Sequence, residues 1–480
     1  MLRTLLSALL LLPILGSSAH AGGALSYHAC SGVQGVPRDA RCATLSVFEN
    51  RVARTGRRID LGVVILPAQH KNAGAILPIG GGPGQSVIAL IPYFTQAFKP
   101  LRTNHDLVFV DQRGTRHSNQ LQCPLYTDPV AYFKELFPNR ALQKCRETLA
   151  QRADLDQYGT SIAADDLDDV RAALGYEKIT LVGGSYGTEA AQEYARRHPS
   201  HVRALLLESV ATTDFLVPLP YAQGAQHALD QLFLACAGAS GCRTAFPGLH
   251  AHFYAVLHRF DRGDVPVTLP SRKTQRSLML SREVFVDRLR QLLYDPAVAS
   301  IVPLIVEDAY RGDTRELAEA LNLVTLSFAT DLSWGMSMSV NCSEDDPFIT
   351  RAAIAAANRG TFLRDARIAA QQRACVTWHV KAAHRSYLQP VRSDAPILML
   401  SGTDDPATPP QFARRQLPYY PNGRQILIPH GGHDNESPCL DRIRVAFLDR
   451  ADVKAVDASC ITSFKRPPFV LTNAALRAFF

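Results

Sequence analysis

One short segment, "GGSYG" at residues 183–187, constrains this chain more than any other. The apolar run "KITLVGGS" that leads into it is predicted to be a strand, and "TEAAQEYARR" after it to be a helix with small residues along one face. A tight turn can hold its central residue in strained geometry only if the residues two before and two after are small. Gly183 and Gly187 meet this requirement. The segment therefore predicts that Ser185 is presented at a strand end as a nucleophile, with an ordinary turn as the alternative.

Other apolar runs occur in two separate parts of the chain, with helical patterns between them. In residues 161–175, for example, we expect Thr160 or Ser161 to be the N-cap of a helix and Gly175 to end it. Alternation of strands and helices predicts the α/β class, with a mostly parallel central sheet. The predicted strands cover residues 61–68, 73–81, 106–114, 178–185 and 202–210 in the first part, and 396–405 and 424–433 in the second.

The pattern changes between these two parts, where strand-like runs become scarce and helical stretches dominate. We interpret residues 213–390 as a helical cap inserted into one sheet, whose core comprises residues 22–212 and 391–480. Two independent domains are the alternative, but they would leave the last two predicted strands without a sheet to join.

The first 21 residues have the features of a secretory signal peptide. Arg3 precedes an apolar run from Leu5 to Leu15, and small residues lead to Ala19-His20-Ala21, an A-x-A cleavage pattern. The run is short for a membrane span, so a retained anchor is the weaker alternative. We therefore expect a secreted or periplasmic protein with no membrane span after removal of residues 1–21.

Ten cysteines follow the signal, and an even number in an exported chain predicts disulfides. Spacing does not determine pairing, but closure between sequence neighbours is the preferred arrangement. A zinc site is the alternative, and it lacks a C-x-x-C or H-x-x-x-H pair, so we expect no metal. The preferred pairs are Cys30–Cys42, Cys123–Cys145, Cys236–Cys242, Cys342–Cys375 and Cys439–Cys460.

Charge and glycine patterns argue against other classes of ligand. The net charge of +7 is scattered over 480 residues, without the aromatic-interleaved basic patches of nucleic-acid binders. The glycine-rich segment "PIGGGPGQS" (78–86) lacks the lysine and spacing of a phosphate-binding loop. We expect no nucleic-acid partner and no cofactor.

A serine nucleophile needs a base, and the base needs a carboxylate that orients it. Where a G-x-S-x-G serine stands between a strand and a helix, the three groups are expected in the chain order Ser, Asp, His. The aspartate and the histidine are then expected at the carboxyl ends of later strands. "LSGTDD" offers Asp404 and Asp405, and "IPHGGH" offers His430 and His433. The residues alone leave both choices open.

Backbone N–H groups must also stabilise the negative oxygen that develops on the carbonyl under attack. We expect one from Tyr186, directly after the nucleophile, and the other from the glycine-rich loop at 78–86.

Five motifs in this order resemble the α/β-hydrolase peptidases related to prolyl aminopeptidase, especially the secreted tripeptidyl-aminopeptidase-like (TAP-like) branch. The resemblance spans residues 40–465 and implies an α/β-hydrolase fold. It also implies that Asp405 and His433 complete the triad and that Gly82 is the oxyanion partner of Tyr186. The paired Cys439 and Cys460 match that branch. The motifs lie at residues 80–84, 111–114, 183–188, 405–409 and 432–433.

Two positions depart from the family pattern. Gly80 stands where the family loop more often begins with histidine, and Arg116-His117 replaces a glycine after "DQRGT". The side chains of Asp111 and Arg113 are interpreted as structural supports beneath the site.

An aminopeptidase must bind a free α-amine, for which acidic groups are suited. The resemblance implies that Glu344 in "CSEDD" contributes, and Asp345 follows it. An acidic helix N-terminus is the alternative interpretation, and Glu208 is a weaker, more structural candidate.

We therefore expect a secreted serine exopeptidase that releases N-terminal residues or tripeptides from peptide substrates through an acyl-enzyme. A secreted carboxylesterase or lipase with the same triad is one alternative, because ester hydrolysis is the easier reaction. A non-catalytic peptide-binding protein of the envelope is the other.

Overall fold

The computed structural model describes residues 23–70, 73–269 and 275–479. The predicted signal peptide, residues 1–21, lies outside them. The strands are β1 (Ser26–His28), β2 (Arg41–Phe48), β3 (Arg58–Leu66), β4 (Ala75–Ile79), β5 (Asp106–Val110), β6 (Ile179–Gly184), β7 (Val202–Glu208), β8 (Val265–Leu269), β9 (Arg276–Leu280), β10 (Ile397–Gly402) and β11 (Gly423–Ile428).

The helices are α1 (Ile91–Ala97), α2 (Pro129–Tyr132), α3 (Asn139–Ala150), α4 (Thr160–Ala173), α5 (Tyr186–Arg197), α6 (Tyr221–Gly238), α7 (Ser240–Ala245), α8 (Leu249–Asp261), α9 (Arg282–Leu292), α10 (Pro296–Ala299), α11 (Val302–Arg311), α12 (Arg315–Asp331), α13 (Trp334–Val340), α14 (Arg351–Ala357), α15 (Ala366–Trp378), α16 (Gln411–Gln416), α17 (Pro438–Arg450) and α18 (Asn473–Phe479).

Nine strands form one sheet in the order β1-β2-β3-β5-β4-β6-β7-β10-β11. The six neighbouring strands β5, β4, β6, β7, β10 and β11 run parallel to one another. At the other side of the sheet, β1 pairs with β2, β2 with β3 and β3 with β5, all antiparallel. The predicted α/β class with a mostly parallel sheet is confirmed. All seven predicted strands lie in this sheet, whereas β1 and β2 were not predicted.

Helices cover both faces of the sheet, which explains why its inner strands are continuously apolar. Every residue of β4 and β10 is buried. Side chains of α4 and α5 pack into the core on one face, and those of α1 and α17 pack into the core on the other. Only the carboxyl ends of the parallel strands are left to carry loops toward a common edge.

Helix α4 begins one residue earlier than the capping pattern predicts. Its N-cap is Gly159, with no side-chain cap, so the expectation of Thr160 or Ser161 is wrong. The hydroxyl of Thr160 instead bonds to the side chains of Glu344 and Tyr186, and that of Ser161 donates to Glu193. The end of the helix is as expected, since Gly175 follows it with a φ of 78°.

The segment between β7 and β10 contains helices α6 to α15 and lies outside the main sheet. It also contains an antiparallel hairpin, β8–β9, that the sequence did not predict. The five-residue strands bury only a few side chains, so the alternation is too weak to read from sequence. The cap boundaries at 213 and 390 remain a prediction.

Disulfides join sequence neighbours throughout the described chain, and no cysteine in these residues is free. No single helix among the described residues is long and apolar enough to cross a membrane, although the bent pair Arg282–Leu292 and Pro296–Arg311 meets that test by length and composition. The disulfides are Cys30–Cys42, Cys123–Cys145, Cys236–Cys242, Cys342–Cys375 and Cys439–Cys460.

Candidate active site

Ser185 occupies a strained turn between the end of β6 and the start of α5. Its φ is 55° and its ψ −126°, a region that side chains other than glycine rarely adopt. A Cβ on Gly187 would lie 2.5 Å from the carbonyl oxygen of Ile79, and one on Gly183 would clash with the backbone of Gly187. The two glycines are therefore required for the turn that presents Ser185.

Asp405 and His433 form a buried pair on loops that follow β10 and β11. Both carboxylate oxygens of Asp405 lie 3.1 Å from Nδ1 of His433. Burial acts to raise the pKa of Asp405, but the attraction and hydrogen bond of His433 outweigh it and lower that pKa. Burial acts to lower the pKa of His433, and the Asp405 carboxylate raises it overall. The pair is thus arranged to stabilise an imidazolium.

Thr408 fixes the carboxylate in place, a role that the sequence did not reveal. Its backbone N–H donates to Asp405 Oδ1 at 2.8 Å, and its hydroxyl donates to Oδ2 at 2.7 Å. The N–H of Ala407 also donates to Oδ1, at 2.8 Å. These bonds explain the "DPAT" sequence at residues 405–408, in which the chain turns so that Ala407 and Thr408 bond to Asp405.

The competing pair, Asp404 and His430, faces away from this arrangement. Asp404 accepts a hydrogen bond of 2.6 Å from Arg466, and the side chain of His430 is 58% exposed. Neighbours in sequence are thus separated in function, because successive residues of these loops point in different directions.

Close packing of glycine backbone brings the two loops together. A Cβ on Gly402 would collide with the backbone carbonyl of Gly432. Ser209, directly after β7, donates its hydroxyl to the carbonyl of His433 at 2.5 Å. Since Gly184 pairs with Glu208 in the sheet, this contact places the His433 loop beside the residue that precedes Ser185.

Ser185 and His433 are not hydrogen bonded to each other in the described part of the chain. The ring of His433 packs on Tyr294, with centroids 4.6 Å apart, and the backbone N–H of His433 donates to the Tyr294 carbonyl at 2.7 Å. Catalytic hydrogen bonds are commonly loose in ligand-free sites and tighten with substrate.

The two expected oxyanion donors lie beside Ser185. Tyr186 is the first residue of α5, so its N–H has no acceptor within the helix. Gly82 borders the same cleft, and its N–H has no acceptor among the described residues. The N–H of Gly81, by contrast, donates to Gln85 Oε1 at 3.1 Å.

The departures from the family pattern have local explanations. A side chain at position 80 would collide with the carbonyl of Gln85, which rules out the usual histidine here. His117 donates its backbone N–H to Asp111 at 3.0 Å, and its ring lies 2.8 Å from the same oxygen. Arg113 is fully buried and holds Asp166 with two hydrogen bonds. Asp111 and Arg113 thus support loops, as does Glu208, which is held by Arg444.

Buried carboxylates lie in and behind the cleft that contains Ser185. The walls of this cleft include Glu189 and Asp345. Asp345 accepts a hydrogen bond from the Val217 N–H at 2.9 Å. Glu189 accepts one from the Tyr387 hydroxyl at 2.6 Å. Glu189 is a site residue that the sequence analysis missed; its position on the first turn of α5 was the available signal.

Glu344 lies behind the cleft wall and is already engaged. Its Oε1 accepts the N–H of Thr160, and its Oε2 accepts the hydroxyl of Thr160, both at 2.6 Å. Glu344 and Asp345 belong to a π-helical turn, Asn341–Asp345, a feature often found at functional sites.

Burial and mutual proximity raise the pKa values of these three carboxyl groups. Burial raises the pKa of Glu344 to about 7, although the Thr160 hydrogen bonds oppose it. Burial, together with the charge of Glu344, raises the pKa of Glu189. Burial also raises the pKa of Asp345, as do the charges of Glu189 and Glu344. The cleft therefore favours a cation that would allow these groups to ionise.

One group of potential metal ligands lies elsewhere in the described residues, at Asp168, His198 and His201. Asp168 is already bound by Arg171 at 2.6 Å and by the Tyr194 hydroxyl at 2.9 Å. A cationic guanidinium on the carboxylate makes this an ion-pair network rather than a cation site.

The fold and the strained serine turn define an α/β hydrolase. A family model described as alpha/beta hydrolase fold matches residues 74–244, and one described as TAP-like protein matches residues 361–460. The chain is a TAP-like member of the α/β-hydrolase family, and the resemblance of its motifs to that family is confirmed.

Three curated relatives are similar to this chain. Serine protease Hip1 of Mycobacterium tuberculosis is 26% identical over 422 residues, which cover 78% of each chain. The tripeptidyl aminopeptidase of Streptomyces lividans is 27% identical over 214 residues, covering 40% of this chain and 39% of the relative. Carboxylesterase B of Mycobacterium tuberculosis is 27% identical over 224 residues, covering 43% of each.

Proposed function

We propose that this protein is a serine exopeptidase that removes residues from the free N-termini of peptides. One observation carries the proposal: Ser185 shares a narrow cleft with the buried carboxylates Glu189 and Asp345. A simple ester carries no positive charge that those groups could bind, whereas a peptide carries its α-ammonium group. The names of two relatives, a serine protease and a tripeptidyl aminopeptidase, support the same activity.

In the proposed reaction, Ser185 Oγ attacks the scissile carbonyl and His433 Nε2 accepts its proton. Asp405 holds the imidazole by Nδ1 and stabilises its charged form. The N–H groups of Gly82 and Tyr186 bind the oxyanion. His433 then protonates the leaving amine, and water activated by the same base hydrolyses the acyl-enzyme. The Ser185–His433 hydrogen bond forms when substrate fills the cleft.

The amine is assigned to Glu189 and Asp345, which border the cleft, in place of the expected pair Glu344 and Asp345. An ammonium group has three N–H donors and no acceptor, so it matches a site lined by carboxylate oxygens. Glu344 keeps a supporting role through Thr160, whose hydroxyl also bonds to that of Tyr186 at 2.8 Å. The cap closes the cleft on the far side of Glu189 and Asp345, so that only the end of a peptide chain can enter.

A secreted or periplasmic location is part of the proposal. Five disulfides fit an oxidising compartment. The remaining support is the predicted signal peptide at residues 1–21.

Digestion of a peptide library, followed by mass spectrometry, tests the activity. We expect sequential loss of N-terminal residues or tripeptides, no cleavage of N-acetylated peptides, and no cleavage by the Ser185→Ala variant. Turnover of nitrophenyl esters without any peptide cleavage would favour the carboxylesterase alternative, which the relative carboxylesterase B supports. Failure of a fluorophosphonate probe to label Ser185 in folded protein would favour a non-catalytic binding protein.

A further inference from the structure

One buried polar atom in the wall of the Ser185 cleft has no hydrogen-bond partner. Asn341 lines this cleft together with Ser185, Glu189 and Asp345. Its Oδ1 is buried and accepts no hydrogen bond from any described residue. Other buried side-chain atoms of the described residues also lack partners, but none of them belongs to a residue that lines the cleft. Asn341 is therefore the place in the cleft wall where a buried acceptor has no donor.

The backbone of Asn341 is hydrogen bonded within the cap, so its side chain is the part that can receive a ligand. Its N–H donates to the carbonyls of Ser337 and Met338. Its carbonyl accepts the N–H of Asp346, directly after the π-helical turn Asn341–Asp345. A buried polar group without a partner costs free energy. An unpaired acceptor in the wall of a cleft therefore indicates that a ligand supplies the donor.

The low exposure of Asn341 is shared by its neighbours and reflects the narrowness of the cleft. Asn341 is 4% exposed, compared with 5% for Glu189 and 6% for Asp345. All three residues line the same cleft. A substrate whose amine lies against the two acids is therefore also brought to the carboxamide.

The π-helical turn places Asn341 about one turn away from Asp345. Side chains four residues apart on a helix are neighbours, with Cβ atoms about 5–6 Å apart. One residue of an extended peptide spans about 3.3–3.6 Å. A peptide whose α-ammonium group binds Asp345 thus brings its first or second peptide group to Asn341. The N–H of that group is a donor and matches the unpaired Oδ1.

We propose that Asn341 binds the substrate by accepting a hydrogen bond from a peptide N–H between the α-ammonium group and the scissile bond. The inference rests on the proposed function and deepens it, because it says how the cleft distinguishes a peptidyl group from a single aminoacyl group. An aminoacyl substrate has no peptide N–H before its scissile bond and leaves Oδ1 unpaired. The enzyme therefore favours release of two or three residues over release of one.

Calorimetric binding to the inactive Ser185→Ala protein tests the contact without turnover. The probes are Ala-Ala-Ala-Ala and two analogues in which lactic acid replaces the second or the third alanine, so that the first or the second peptide N–H becomes an ester oxygen. We expect one analogue to bind at least about tenfold more weakly than the peptide, and the analogue that responds identifies the peptide group. Adding Asn341→Leu should remove this difference.

The Asn341→Leu substitution is close to isosteric and also separates a binding role from a structural one. It removes a buried acceptor that no described donor uses, so the Tm should stay equal or rise. In the active protein it should lower kcat/KM for Ala-Ala-Ala-nitroanilide at least about ten times more than that for nitrophenyl acetate, which has no peptide group. A merely structural role would lower the Tm and both activities together. Asn341→Ala gives the same test if the leucine variant does not fold.

The matched control is Asn358→Leu, at the end of α14 in the cap. Both polar atoms of the Asn358 side chain are buried and unpartnered among the described residues, but Asn358 does not line the cleft. This variant should change neither the discrimination between peptide and analogues nor the turnover of the nitroanilide.

Two results overturn the inference: equal binding of the peptide and both analogues, or a difference that survives the substitutions at Asn341. If the protein nevertheless cleaves peptides, the proposed exopeptidase function stands without this contact. Discrimination that depends on Asn341, in a protein that cleaves no peptide, would instead overturn only the proposed function.

Discussion

Asp405 holds Nδ1 of His433 with both of its oxygens at 3.1 Å, while the adjacent Asp404 binds Arg466 instead. The two neighbouring aspartates therefore make a matched pair for mutation. Asp405→Asn should lower kcat by about 10⁴-fold, because an amide cannot stabilise the imidazolium and favours the wrong tautomer.

Asp404→Asn is the control and should change kcat by less than about threefold, since Asp404 binds Arg466 and makes no hydrogen bond to His433. The measurement is steady-state hydrolysis of a nitroanilide substrate, with unfolding curves for both variants. Equal losses of kcat in the two variants would contradict the assignment of Asp405.

Alanine substitution at two adjacent glycines of the serine turn should change the free energy of unfolding by very different amounts. Gly183→Ala should lower the free energy of unfolding by about 3 kcal/mol, because the new methyl group meets backbone that cannot move aside. Gly184→Ala should change it by less than about 0.5 kcal/mol, since its Cβ would have no atom within 4 Å. Urea unfolding followed by circular dichroism measures both, and similar values would show that the turn is not tightly constrained.

Recognition of the amine should depend on pH, since burial raises the pKa of Glu189 to about 8 and also raises that of Asp345. Below about pH 8 the Glu189 carboxyl group is mostly neutral and binds an ammonium weakly; above it the group is charged. The ratio of kcat/KM for a free-amine peptide to that for a nitrophenyl ester should therefore rise by about tenfold from pH 6 to pH 8.

The ester carries no amine, so it corrects for the titration of His433, whose base form both substrates need. Asp345→Asn should flatten the ratio while ester turnover keeps its own pH profile. A ratio that does not change with pH in the wild-type protein would argue against carboxylate recognition of the amine.

The disulfide Cys342–Cys375 closes a loop of 33 residues and anchors the turn that carries Asp345. Replacing both cysteines with alanine should lower the free energy of unfolding by about 2–4 kcal/mol. It should also raise KM for free-amine peptides by about tenfold, equivalent to about 1.4 kcal/mol of binding.

The disulfide Cys236–Cys242 provides the comparison, because its partners are only 6 residues apart. Its removal should cost less stability, since the closed loop is shorter, and should leave KM unchanged. Thermal unfolding and initial rates distinguish the two effects, and a KM increase in both variants would indicate a general loosening of the cap.

Much of the core could be read from the chain because its signals are local. Each of these signals extends over about ten residues of sequence. They are the continuously apolar strands, the small residues around Ser185 and the polar loop after each strand. The parallel strands then bring distant loops to one edge, so the order Ser, Asp, His could be anticipated without coordinates. The choice of Asp405 over Asp404 and of His433 over His430 came from the resemblance to the peptidase family.

Other features depend on contacts between segments far apart and left no local pattern. Thr160 has the features of an N-cap, yet its hydroxyl bonds to Glu344, 184 residues away, because that carboxylate is buried beside it. Glu189 reads as an ordinary helix residue and becomes part of the cleft only when α5 is covered by the cap. The linear pattern thus specifies which backbone turns and strands form, since those are short-range choices; burial, charge pairing and the pKa of each carboxyl group are set only when the cap closes over the sheet.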